Sequence, residues 1–82
     1  MVRIARSALR HGVAPQDIVA AMRYAQDVMV LREDPSKWLY LGFSRSGVPL
    51  EIISVVSEHD GDKLVIHAMT RRKIAVDRKS VV

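Results

Sequence analysis

The chain has 82 residues, 49% of them hydrophobic and 27% charged, which is the balance of a folded domain rather than a disordered one. It reads as one domain, residues 1–82, with a thin core, because so short a chain buries only about 60% of its unfolded surface. The net charge is +4; the lack of cysteine excludes disulfides and thiolate chemistry, and no apolar run nears the roughly 20 residues of a membrane span, so a cytoplasmic protein is expected.

In chain order, the first expected element is a short helix over Ile4–His11, in which Ile4, Ala8 and His11 share a face. Gly12 follows as a left-handed stop. Pro15 suits the first turn of a second helix, and Asp17 lies near the positive end of its dipole. Ile18, Met22, Ala25 and Met29 form an amphipathic stripe, and the helix is expected to end near Gln26, where an apolar, partly β-branched run begins.

The period then changes to two. Strands are expected over Asp27–Arg32, Trp38–Ser44, Pro49–Ser57 and Lys63–Met69. The turns between them are Glu33-Asp34-Pro35-Ser36, Arg45-Ser46-Gly47-Val48 and the hairpin signal Asp60-Gly61. Ile52, Ile53, Val55 and Val56 are apolar on both faces, as in a central strand covered on both sides. Thr70 then caps a short basic helix. The expected fold is therefore α+β: two N-terminal helices packed on an antiparallel sheet of about four strands, with a basic C-terminal helix or tail. One face of that sheet is left for the last helix, a second copy or a partner protein to cover.

Few residues offer chemistry. His11, His59 and His67 stand far apart, at no metal-ligand spacing, and Asp60/Asp62 lack the ligand count of a calcium loop. No metal and no cofactor is expected. The glycines are single, and no serine sits on a strand–turn–helix elbow. What remains is basic and imidazole-bearing. Residues 51–69 carry Glu51, Glu58, Asp60 and Asp62 against Lys63, whereas residues 70–82 carry Arg71, Arg72, Lys73, Arg78 and Lys79 against Asp77. Metal-free RNA cleavage needs only a base, an acid and cations, because the 2′-hydroxyl is the nucleophile. His67 precedes Arg71 and Arg72 closely enough to share a sheet edge with them, and an imidazole serves as base or acid. The plain alternative makes His67 a half-buried strand residue and His11 a complement to a helix dipole. Trp38 and Tyr40 are either core or a stacking platform for bases.

Arg10-His11-Gly12-Val13 leading into a helix, Ser46-Gly47 before Leu50-Glu51-Ile52, and Val65-Ile66-His67-Ala68-Met69 followed by Arg72-Lys73 resemble the small BrnT-like toxins of the RelE superfamily. The resemblance spans Ile4 to about Asp77. It implies a metal-independent endoribonuclease acting on mRNA, the toxin of a type II toxin–antitoxin pair, neutralised by a cognate antitoxin. It also puts His11, His67, Arg71, Arg72 and Lys73 at stake, with catalytic roles for His11, His67, Arg71 and Arg72; the basic charge of residues 70–82 points to RNA contacts from Arg71, Arg72, Lys73, Arg78 and Lys79. A homodimer or a toxin–antitoxin hetero-oligomer is the assembly to expect. Ala14 departs from the polar helix cap of such proteins, and Ile74 replaces a tail aromatic. A non-catalytic binding module of the same fold, acting through protein or nucleic acid, is the alternative reading.

Overall fold

The computed structural model describes residues 2–57 and 60–71. It corrects the expected architecture: the chain forms one five-stranded sheet with a single α-helix and a 3₁₀ turn, not two helices on four strands. The strands are β1 (Val2–Ile4), β2 (Asp27–Glu33), β3 (Ser36–Phe43), β4 (Pro49–Val56) and β5 (Lys63–Thr70), and the helix is α1 (Pro15–Arg23). Their order across the sheet is β1-β5-β4-β3-β2, with β1 parallel to β5 and the other pairs antiparallel.

The expected first helix over Ile4–His11 is replaced by β1 and the 3₁₀ turn Arg6–Leu9. The cause is tertiary. β5 offers an open edge, β1 pairs Val2 with Lys63 and Ile4 with Val65, and the Ala5 N–H continues the ladder to the Val65 carbonyl at 2.8 Å. Ladder bonds of this kind outweigh a weak local helix propensity. The 3₁₀ turn still buries Ala8, and Ser7 Oγ donates to the Ile66 carbonyl at 2.9 Å, which ties the turn to β5.

The second expected helix is present but stops at Arg23 rather than near Gln26. The Gln26 N–H already donates to the Leu41 carbonyl at 2.8 Å, so the chain has joined the sheet by that residue. Met29, placed by the sequence on the helical stripe, lies in β2. Thr70 closes β5 instead of capping a helix, and the expected basic helix beyond it lies outside the described residues.

Period-two alternation puts Trp38, Tyr40 and Gly42 of β3 on the face that α1 covers, opposite Ser54, Ile52 and Leu50 of β4. Ile18, Ala21, Tyr40, Leu50, Ile52, Val65 and Ala68 are buried there together with Ala8. Gly42 is where the helix sits down on the sheet, since a Cβ at that position would collide with the Ala21 carbonyl oxygen. On the other face, Leu39, Ile53 and Val55 stay only partly buried, so β4 is central but covered on one side, contrary to expectation. Among the described residues no helix is long and apolar enough to cross a membrane.

Candidate active site

His67 lies on β5 on the face that α1 leaves open, because it pairs with Ile53 rather than with the buried Ile52. Glu51 is on the same face of β4, two residues along, in the pair with Met69. The register therefore sets the two side chains diagonally, and His67 Nε2 lies 3.0 Å from Glu51 Oε2. A carboxylate only accepts, so Nε2 carries the hydrogen and Nδ1 of the neutral ring is the free lone pair. Both side chains are partly buried, at 28% and 34% exposure, which shields the bond without removing it from water.

His11 reaches the same place from the other end of the chain. The 3₁₀ turn packs along β5, Gly12 adopts φ +78° just after it, and the His11 ring stands edge to face with His67. The centroids are 5.7 Å apart and the planes meet at 70°. Two of the residues singled out from the sequence, distant along the chain, are thus brought together. Arg71 is four residues beyond His67, roughly 13 Å along an extended strand, and its N–H donates to the Pro49 carbonyl at 2.9 Å. Arg72, Lys73, Arg78 and Lys79 lie outside the described residues, as does His59. Trp38 and Tyr40 serve the core instead of an exposed platform: Tyr40 is buried, Trp38 packs against the core cluster, and Lys63 Nζ stands 5.9 Å from the Tyr40 ring centre.

Glu51 was not among the sequence candidates. Counting outward from the hairpin at Asp60-Gly61 places residue 51 near residue 69, so the signal existed in the register of that hairpin. The site has the parts of proton-transfer chemistry: an imidazole oriented by a carboxylate, and a second imidazole in contact with the first. Among the described residues, no group of three His, Cys, Asp or Glu is placed to hold a metal ion.

A groove of about 220 Å³ opens beside His11, between Gly12–Val13, the first turn of α1 and the turn at residues 44–48. Asp17 Oδ1 accepts from both the backbone N–H and Nε of Arg45, at 2.9 and 2.8 Å. These bonds and the adjacent guanidinium hold the Asp17 carboxyl below its ordinary range. At the far hairpin, Asp60 Oδ1 accepts from the Asp62 N–H at 3.0 Å, and that bond holds the Asp60 carboxyl low as well.

Comparison with protein-family models, curated proteins and solved structures gives no match.

Proposed function

We propose that the protein is a metal-independent endoribonuclease that cleaves RNA through His67 and His11. The observation that carries this reading is the imidazole pair, 5.7 Å between ring centres, with Glu51 orienting one member. In the reaction, Nδ1 of neutral His67 takes the proton of the 2′-hydroxyl as its oxygen attacks the adjacent phosphorus. Protonated His11 gives its proton to the departing 5′-oxygen as the P–O5′ bond breaks. The products are a 2′,3′-cyclic phosphate and a free 5′-hydroxyl, so atoms and protons balance. Glu51 is a positioning residue: it fixes the tautomer of His67 and stabilises the imidazolium that forms. Arg71 and the exposed Arg10 supply cations for the RNA backbone.

The resemblance to BrnT-like toxins supports a cytoplasmic toxin acting on mRNA and held inactive by a cognate antitoxin. The exposed apolar edge strand β2, with Val28, Met29, Val30 and Leu31 each 44–48% exposed, favours a protein partner in addition to RNA. It is also the feature that would sustain a purely binding role if catalysis were absent.

The test is cleavage of a defined RNA in the presence of EDTA, with product ends identified by mass spectrometry. Cyclic phosphate ends and a bell-shaped pH–rate profile are expected. His67→Ala should slow the reaction by about 10²–10⁴ without weakening RNA binding. Glu51→Gln should lower kcat and leave KM nearly unchanged. Full activity in His67→Ala, or no cleavage by the wild type together with tight binding of the neighbouring gene product, would replace this reading with the binding module.

A further inference from the structure

The groove, lined also by His11 and Thr70, presents the fixed carboxylate of Asp17 as an acceptor and the Ser46 hydroxyl as a donor. Asp17 spends Oδ1 on two bonds to Arg45, which leaves Oδ2 to accept from a ligand. Ser44 Oγ accepts from the N–H groups of Ser46 and Val48, at 3.2 and 3.0 Å, which uses both of its lone pairs. Its own hydrogen therefore goes to Ser46 Oγ, 3.1 Å away, and the Ser46 hydroxyl keeps its hydrogen for the groove. Val13, Val48 and Leu50 provide apolar walls. Arg45 already balances the charge of Asp17, so the groove suits a neutral group that donates hydrogen bonds, whereas a phosphate would meet a carboxylate. Its volume of about 220 Å³ is below the roughly 300–1,000 Å³ of pockets for drug-sized ligands, so it fits a single base rather than a whole nucleotide.

We propose that this groove is a guanine subsite, in which Asp17 Oδ2 accepts from the N1–H and N2–H groups and the Ser46 hydroxyl donates to O6. The proposal deepens the ribonuclease reading and rests on it, because His11 lines the groove and would place the bound base next to the scissile phosphate. Guanine is the base that offers two adjacent N–H donors beside a carbonyl acceptor. A base that lacks those donors sets no hydrogen against Oδ2, so its binding would displace water from that oxygen without replacing the bonds.

The test is titration of the full chain with GMP, IMP, AMP, CMP and UMP, followed through the amide resonances of Gly12, Ser46 and Val48. GMP should bind most tightly, and IMP, which lacks the N2 amine, about tenfold more weakly. Asp17→Asn keeps an acceptor for Arg45 but turns a donor toward the base, and should abolish the preference for GMP over AMP. Ser46→Ala leaves the Arg45 tie untouched and should weaken GMP several-fold. Equal affinities for all five nucleotides, or a GMP preference that survives both substitutions, overturns the subsite. Guanine-selective binding without RNA cleavage would overturn the nuclease instead, and cleavage without guanine selectivity the reverse.

Discussion

Ser54 stands in the middle of β4 with its hydroxyl buried and, among the described residues, without a hydrogen-bond partner. A buried unsatisfied hydroxyl costs about 1–3 kcal/mol relative to solvent. Ser54→Ala removes that cost and opens only a small void, so a gain of about 1 kcal/mol is expected. Thermal denaturation should show a Tm rise of about 4–8 °C for a domain of this size; a fall would mean that the hydroxyl has a partner. Asp17 acts with the opposite sign. Its carboxyl titrates below the ordinary 3.8 because it accepts two bonds from Arg45. A depressed folded-state pKa gives a contribution that is present above the unfolded value and lost as pH falls through the folded one. The link between α1 and the turn at residues 44–48 should therefore hold at neutral pH and release in acid. The Arg45 amide resonance should report this with a midpoint below pH 3.8, and Asp17→Asn should erase the transition.

At the scale of elements, β4 separates two adjacent isoleucines by their faces. Ile52 is fully buried under α1, whereas Ile53 is only partly buried, on the open face beside His67. Ile52→Asp should unfold the domain, because an unpaired buried carboxylate costs several kcal/mol against a total stability of about 5–15 kcal/mol. Ile53→Asp should cost about 1–2 kcal/mol and retain a cooperative melt by circular dichroism. Equal damage from both would mean that the open face is covered. The helix itself has little local support. Its N-cap is Ala14, which makes no side-chain cap bond, and it runs for nine residues, shorter than isolated helices that persist in water. It is held by Ile18 and Ala21 in the core and by close approach to Gly42.

For the whole molecule, the sheet has two unlike edges. β1 and the 3₁₀ turn flank β5, but β2 is exposed along its entire length. An open apolar edge is a template for further strands. Val30→Lys places a charge in the middle of that edge and should suppress concentration-dependent association while leaving the α1-covered core intact. Sedimentation at increasing concentration checks it: unchanged association in the variant would move the contact to the open face of β3 and β4. The same face carries His67 and Glu51, so a partner seated across it would block the proposed RNA site directly.

Much of this was written locally in the chain. Alternation of apolar residues and the turns at Asp34-Pro35, Ser46-Gly47 and Asp60-Gly61 located β2 to β5 within a residue or two, because side-chain period and turn chemistry act over a few neighbouring residues. The histidines and Arg71 could be picked out by their chemistry alone. Only the tertiary structure decided the rest. Val2–Ile4 became a strand because β5 offered an edge, and Ser7 meets Ile66 across 59 positions of sequence. His11 reached His67 by the same route, and Glu51 found His67 across 16 positions through the β4–β5 register. Contacts between residues so distant leave no periodic trace along the chain, since they form where two surfaces meet, not where one segment repeats.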